Sequence, residues 1–183
     1  MAAAERKVCH GGQAELMLFL AKEGITTKTY DHPEVFTVEA MMPHLEKMGL
    51  DGAISKNLFV RDKKKRCHWL ITAHHNQNIN LASVAKKLGI SGGVRFADEN
   101  AMVEKIGVGQ GCVTPLAVFN DKNGDVKLVV EADFLKEGKH KNLHFHPMVN
   151  SATLAITPSD FVNFARATGH EPIVIDMIEP TYC

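Results

Sequence analysis

A lysine at the start of an apolar strand pattern is the first residue of this sequence whose position suggests chemistry. Lys56 opens the segment KNLFV (56–60), in which period-two alternation places Lys56, Leu58 and Val60 on one face. If Leu58 and Val60 face the core, the ammonium lies on the inner side of a sheet near its rim, where it can bind a phosphate or carbonyl oxygen. The alternative is a strand-end lysine whose aliphatic stem only covers apolar surface.

A glycine-rich segment, GVGQGCVTP (107–115), is a second candidate because it can bring backbone amides close to a ligand. It is not a dinucleotide-binding loop, since it follows a predicted helix, precedes a predicted strand and lacks the third glycine of G-x-G-x-x-G. Glycines allow a close backbone approach, so that N–H groups can stabilise an oxyanion. A tight connection from helix to strand explains the composition equally well.

Histidines form a third candidate group, with His140, His144 and His146 close together in the sequence. His144 and His146 would share a face of an extended segment, which permits a metal site. No HExxH or CxxC pattern supplies further ligands, so we predict no metal and no cofactor. His146, followed by Pro147, is predicted to be a fixed polar group beside a pocket or a residue of a surface loop.

A run of basic residues, RDKKKR (61–66), contains Arg61, Lys63, Lys64, Lys65 and Arg66 on a predicted turn. A solvated charged turn is the simplest interpretation, and contact with a phosphate backbone is the sharper alternative.

Covalent catalysis by a serine or cysteine nucleophile is not indicated. The sequence contains no G-x-S-x-G pattern, and no base is identifiable for Cys112. The four cysteines, Cys9, Cys67, Cys112 and Cys183, are scattered without a CxxC pair and are predicted to be buried small apolar residues.

The elements that would position these residues are short strands mixed with helices. Capping residues predict helices that start after Thr37, Asn80, Asp98 and Thr157. An apolar pattern predicts a further helix over residues 13–23. Pro43 is expected to kink or interrupt the helix that starts after Thr37. Strands are predicted at 25–30, 57–61, 66–73, 94–96, 116–120, 126–130, 153–157 and 173–175. Two hairpins are predicted, one across residues 62–65 and one across Asn123-Gly124, which indicates an α+β fold with a mixed, mainly antiparallel sheet.

Length, charge and hydropathy restrict the classes of protein to which this sequence can belong. A length of 183 residues predicts a single domain over 1–183, with frayed ends at 1–10 and 178–183. The 21 basic and 21 acidic residues balance, which argues against a polybasic DNA-binding protein. The longest apolar run, 16–21, is too short to span a membrane, and no signal peptide is recognisable, so we expect a cytoplasmic protein without a membrane partner.

Four sequence blocks resemble, in order, the YbaK/prolyl-tRNA synthetase-associated family of aminoacyl-tRNA editing domains. They are YDHP (30–33) with FTVE (36–39), then SKNLFV (55–60), GCVTP (111–115), and HP (146–147) with Asn150 and Thr153. The resemblance covers about residues 13–177, and Lys56-Asn57 is most similar to the ProXp-ala type.

The resemblance implies a mixed, curved sheet surrounded by helices and hydrolysis of the ester in mischarged aminoacyl-tRNA, most of all Ala-tRNA(Pro). Lys56 would then hold a phosphate or carbonyl oxygen, and Asn57 and His146 would orient polar groups or water. The implied pocket wall comprises Gly111, Cys112, Val113, Thr114 and Pro115, with Asn150 nearby. The implied partners are aminoacyl-tRNA and, as a further candidate, prolyl-tRNA synthetase.

Two alternatives stay open at this point. The first is a YbaK-type deacylase that takes Cys-tRNA(Pro), and the second is a non-catalytic module that binds tRNA or a synthetase.

Overall fold

One sheet of eight strands runs through the computed structural model, which describes residues 10–50 and 52–177. The strands are β1 (Thr27–Asp31), β2 (Ala53–Asp62), β3 (His68–His74), β4 (Val94–Phe96), β5 (Val126–Glu131), β6 (Leu143–Phe145), β7 (Ala152–Ile156) and β8 (Ile173–Ile175). The α-helices are α1 (Gln13–Lys22), α2 (Val38–Lys47), α3 (Leu81–Lys87), α4 (Glu99–Ile106) and α5 (Pro158–Ala167). Two 3-10 helices, Pro115–Asn120 and Ala132–Leu135, flank β5.

The strand order is β1-β7-β6-β2-β3-β5-β8, and β4 pairs with the far end of β2. Antiparallel pairing joins β1 to β7, β7 to β6, β2 to β3 and β2 to β4. Parallel pairing joins β2 to β6, β3 to β5 and β5 to β8. The structure therefore confirms the predicted α+β class with a mixed, mostly antiparallel sheet.

Helices cover the sheet on both faces. The largest apolar cluster includes Leu16 and Leu20 of α1, Phe161 and Phe164 of α5, and Phe59 of β2. A second cluster packs Val84 of α3 against the strand residues Val60, Trp69, Ile71 and Val129. Because alternate residues of β2 face opposite clusters, the side chains of Lys56 and Asn57 leave the strand on different faces.

The predicted helix starts are confirmed by side-chain caps. Thr37, Asn80, Asp98 and Thr157 each accept a backbone N–H from the first turn of α2, α3, α4 and α5, respectively. Pro43 lies inside α2 without interrupting it, so the predicted interruption of this helix is wrong. Residues 143–146, which the sequence left unassigned, contain the short strand β6.

The second predicted hairpin is wrong. Residues 116–120 lie in a 3-10 helix, which Pro115 starts and which the Thr114 hydroxyl caps by accepting the Leu116 amide. All six residues of this helix are buried, so their apolar character reflects burial on every side rather than a strand in a hairpin. Strand β5 pairs in parallel with β3 instead, while Gly124 keeps the left-handed φ of 71° that its turn requires.

The predictions for the termini fall mostly outside the described residues, as do Cys9 and Cys183. His10, inside the first predicted frayed segment, is held by a bond between its Nε2 and the Glu104 carbonyl oxygen, 2.7 Å away. Cys67 and Cys112 have free thiols and are half-buried rather than fully buried. Among the described residues, no helix has the length and hydropathy needed to span a membrane.

Candidate active site

A cleft of about 420 Å³ opens between the start of α2, the middle of β2, the start of α4 and the glycine-rich loop. Five of the nine residues predicted to form the catalytic and substrate-binding site line it, namely Lys56, Asn57, Gly111, Val113 and His146. Its floor includes Phe145 of β6 and Thr153 of β7, both of which are buried. The topology thus brings together four segments that are far apart in the sequence.

Asn57 joins β2, β3 and the glycine-rich loop. Its Nδ2 donates to the Val113 carbonyl oxygen at 3.1 Å and to Ser55 Oγ at 3.2 Å. Its Oδ1 accepts a hydrogen bond of 2.7 Å from the Thr72 hydroxyl. Both amide hydrogens are therefore engaged, so the side chain fixes the loop against the sheet.

Lys56 lines the cleft at the end of β2 that lies closest to β6. The apolar residues of its face, Leu58 and Val60, pack in the cluster beneath α3, as the alternation predicted. Its Nζ donates to the Gln77 carbonyl oxygen at 2.5 Å. Among the residues that the structure describes, this carbonyl is the one hydrogen-bond acceptor of Nζ, and an ammonium has three donors, so two further hydrogens can meet a ligand.

The glycine-rich loop forms the opposite wall. Gly111 has φ +87°, and a Cβ at this position would lie 3.2 Å from Cδ1 of Phe36. The positive φ therefore favours glycine, and a side chain here would also have to displace the Phe36 ring by a few tenths of an ångström. The Cys112 amide closes the turn by donating to the Gly109 carbonyl oxygen at 3.1 Å.

Four other predicted wall residues lie behind the cleft rather than in its lining. Thr114 and Pro115 are buried at the start of the first 3-10 helix, and Asn150 is buried with its carbonyl oxygen accepting the Val35 amide. Cys112 packs against the main apolar cluster, and burial raises the pKa of its thiol. None of these four lines the cleft, and the substrate-binding role predicted for them stays a prediction.

His146 presents a defined tautomer to the cleft. Its Nδ1 lies 3.0 Å from the Ala152 carbonyl oxygen, so this nitrogen carries the hydrogen. Burial lowers the pKa of His146; the carbonyl acts in the opposite direction, and the neighbouring His32 lowers the pKa further. The ring is therefore neutral at pH 7, and its Nε2 is a hydrogen-bond acceptor.

The basic turn is exposed and lies outside the cleft. Lys63, Lys64, Lys65 and Arg66 are exposed, and Asp62 shapes the turn by accepting the Arg66 and Cys67 amides. The turn starts three residues after the cleft residue Phe59, about 10 Å along an extended strand. It is therefore placed to contact a ligand that extends beyond the cleft.

Three cleft residues are not among the site residues predicted from the sequence, although Phe36 belongs to the first block of the resemblance. Phe36 and Phe96 line the mouth with exposed fractions of 70% and 60%, although a local pattern would assign such residues to the core. Glu99, the first residue of α4, also lines the cleft. The pattern around Asp98 indicated only a helix start, which accounts for an acidic residue there without reference to a site.

Within the described part of the chain, no group of three or more histidine, cysteine or acidic side chains has the geometry to hold a metal ion. His144 and His146 both line the cleft, but no third ligand of these types joins them. Among the described residues, the lining of the cleft offers an ammonium, a carboxylate, imidazole rings and backbone amides.

The fold and cleft define a known structural class. A crystal structure described as "a putative trans-editing enzyme for prolyl tRNA synthetase" superposes with a TM-score of 0.69 at 19% identity and covers 94% of this chain and 100% of that one. The chain belongs to the aminoacyl-tRNA editing domain family, whose profile matches residues 32–164.

Two relatives narrow the placement within this family. Prolyl-tRNA synthetase associated domain-containing protein 1 of Bos taurus is 54% identical over 165 residues, which is 90% of this chain and 94% of that protein. The prolyl-tRNA editing protein ProX of Acetoanaerobium sticklandii is 32% identical over 142 residues, or 76% of this chain and 82% of that protein. The resemblance deduced from the four sequence blocks is therefore confirmed.

Proposed function

We propose that this protein is an aminoacyl-tRNA deacylase that acts in trans on Ala-tRNA(Pro). The observation that carries the proposal is one cleft whose lining includes Lys56, the glycine-rich loop and a neutral His146. Membership in the editing family and likeness to a prolyl-tRNA editing protein support the substrate class. The cytoplasm, where tRNA is charged, is the proposed site of action, and prolyl-tRNA synthetase is a proposed partner.

The proposed reaction is direct hydrolysis of the ester that joins the amino acid to the terminal ribose. Water adds to the carbonyl carbon and transfers a proton to Nε2 of His146; the ester bond then breaks as the imidazolium returns that proton to the departing ribose oxygen, which leaves the free amino acid, the tRNA and neutral His146. The backbone amide of Gly111 stabilises the charge that develops on the carbonyl oxygen, since the amides of Gln110 and Cys112 donate to Glu99 and to the Gly109 carbonyl oxygen. The vicinal 2′-hydroxyl of the tRNA can assist by orienting the water.

The ammonium of Lys56 positions the substrate in this scheme. With one hydrogen on the Gln77 carbonyl oxygen, the other two can contact a phosphate or the ester carbonyl. Because an ester is already activated, positioning and charge stabilisation supply much of the reduction in the barrier.

Size exclusion is the proposed basis for choosing alanine over proline. A synthetase pocket that admits proline excludes a smaller side chain by only about 1–3 kcal/mol per methylene group. A second site that is too small for the proline ring can hydrolyse the mischarged alanyl ester while it leaves the prolyl ester intact. The wall that Asn57 fixes through Val113 is suited to such a role because it is held from both the sheet and the loop.

The test is a panel of purified Ala-, Cys- and Pro-tRNA(Pro) incubated with the protein. Release of alanine well above that of cysteine and proline is expected. Preferential release of cysteine would replace the proposal with a YbaK-type activity. No release from any of the three would leave a binding module as the function.

A further inference from the structure

The cleft carries two opposite charges on different walls. Among the described residues that line it, Lys56 is the sole lysine or arginine and Glu99 the sole carboxylate. Lys56 comes from β2 and Glu99 from the start of α4, so the two approach a ligand from different elements. A cleft charged in this way suits a ligand that has both a polar oxygen and a cationic group.

Glu99 is held in place by the glycine-rich loop. Its Oε1 accepts the Gln110 amide at 3.1 Å, and a Cβ on Gly109 would lie 2.8 Å from the same oxygen. Glycine at 109 therefore lets the loop fold closely over the carboxylate. In the described part of the chain, no hydrogen bond is made to Oε2, so one oxygen positions the loop and the other is available to a ligand.

From this arrangement we infer that Glu99 binds the α-ammonium of the aminoacyl group, an inference that rests on the proposed function. The ammonium lies one carbon from the ester carbonyl, so a ligand whose carbonyl meets the Gly111 amide presents its charge to the wall that Glu99 and Gln110 form. The hydrogen bond from Gln110 links the two contacts, because the segment that holds the carboxylate continues into Gly111.

This contact gives the site a second criterion besides size. A peptidyl-tRNA has the same ester linkage but an amide in place of the free ammonium. A cleft that requires the ammonium therefore spares chains under synthesis and acts only on single amino acids. Glu99 is thus a specificity residue for the proposed reaction.

Binding of non-hydrolysable analogues tests the inference independently of catalysis. The probes are 3′-alanylamido-3′-deoxyadenosine and its N-acetyl derivative, with Kd measured by calorimetry. The wild-type protein should bind the free-amine form about tenfold more tightly, as expected for a hydrogen bond between charged groups. In E99Q this preference should disappear, while the amide oxygen of glutamine keeps the acceptor for Gln110.

E104Q is the matched control, because Glu104 belongs to the same helix but does not line the cleft, and it should retain the preference. Equal Kd values for the two probes in the wild type, failure to bind either probe, or a preference that survives in E99Q would each overturn the inference. An unchanged melting temperature in E99Q excludes collapse of the loop as the cause of a lost preference. Failure of the proposed function would look different, as a preference in binding without hydrolysis of Ala-tRNA(Pro).

Discussion

Lys56 is the residue on which the proposed reaction depends most, and its environment separates catalysis from stability. Lys56→Ala removes one hydrogen bond, to the Gln77 carbonyl oxygen, so the free energy of unfolding should fall by about 1 kcal/mol or less. Deacylation of Ala-tRNA(Pro) should nevertheless be almost abolished. Single-turnover rates together with thermal unfolding provide the measurement.

Lys127→Ala is the matched control, since this lysine is also on a strand but is exposed outside the cleft. It should retain wild-type rates. Normal turnover by a folded Lys56→Ala protein would remove the lysine from the mechanism.

At Gly111 the backbone has a conformation that residues with a side chain rarely adopt, and an aromatic ring lies close to where a Cβ would be. In Gly111→Ala the new methyl group meets Phe36 at 3.2 Å on a backbone with φ +87°, so the loop amides should shift. Misplacing one oxyanion donor lowers the rate by about 10²–10³-fold. The deacylation rate at saturating Ala-tRNA(Pro) measures this effect.

Gly124→Ala separates the effect of the positive φ from that of the contact with Phe36, because the φ of Gly124 is +71° but nothing lies within 4 Å of the new Cβ. It should lose stability to a similar degree and keep its activity. If both variants were fully active, the loop would be a simple connection rather than a wall of the site.

The proposed role of His146 predicts how the kcat/KM of deacylation depends on pH. Burial lowers the pKa of His146, so the ring stays neutral to a lower pH than an exposed histidine, whose pKa is about 6.5. As pH falls through that lowered pKa, protonation removes the Nε2 acceptor and kcat/KM should decline. In His146→Ala the rate should be low and this acid limb absent.

His140→Ala is the control, because His140 lies outside the cleft and bonds to Asp133. Its profile should match that of the wild type. A wild-type profile with its acid limb at or above pH 6.5 would contradict the assignment to His146.

At the scale of elements, a buried pair of side chains joins two segments. Asp121 follows the first 3-10 helix, and His170 follows α5. His170 Nε2 lies 3.0 Å from Asp121 Oδ2, and the same carboxylate accepts the amides of Val126 and Asp125. Burial alone would raise the pKa of Asp121, but the hydrogen bonds from His170 and the two amides lower it overall. This carboxylate therefore fixes the chain as it leaves the 3-10 helix and enters β5.

The lowered pKa determines how stability changes with pH. A carboxyl whose pKa is lower in the folded state stabilises the fold above the unfolded-state pKa of about 3.9, and the contribution is lost as pH falls through the folded-state value. Asp121→Asn should lower the free energy of unfolding at pH 7 by about 2–3 kcal/mol and flatten its decline in acid. Urea unfolding between pH 3 and 7 measures both effects.

Asp125→Asn removes only an exposed pair with Lys105 and should cost about 0–1 kcal/mol. If the two variants were equally stable, the buried pair would not fix the 3-10 helix.

The elements themselves were largely predictable, because their signals are local. The caps at Thr37, Asn80, Asp98 and Thr157 marked helix starts, and each accepts the expected backbone amide. The segment 116–120 was misassigned because a short apolar run is compatible with either a strand or a buried helix. Burial on all sides is a property of the fold and has no local signature.

At the scale of the whole molecule, strand pairing was the least predictable feature. The hairpin of β2 and β3 is local, whereas the parallel partners β6 and β5 come from distant segments. The cleft depends on this long-range order, since it brings His146 to the end of β2. The family resemblance linked segments that local patterns could not, and five of its residues line one cleft, while their roles in a site and the single-domain assignment for 1–183 stay predictions.

The basic turn relates the cleft to a ligand much larger than an amino acid. With a net charge of zero, the protein should bind tRNA through local patches rather than through its overall field. Replacing Lys63, Lys64 and Lys65 by Glu should weaken binding of tRNA(Pro) and make its salt dependence shallower. Each lost phosphate contact changes the slope of log K against log salt by about 0.7 at a single-stranded end and about 0.9 on a duplex.

The same charge reversal at Lys136, Lys139 and Lys141 is the control, because these lysines are exposed and do not line the cleft. Since the turn lies beyond the cleft, its replacement should raise KM for Ala-tRNA(Pro) and leave the single-turnover rate at saturation unchanged. Hydrolysis of a minimal aminoacyl-adenosine ester, which cannot reach the turn, should be unaffected in both variants. If the two triple variants weaken tRNA binding equally, the turn is only a solvated loop, and the tRNA body approaches the cleft from another side.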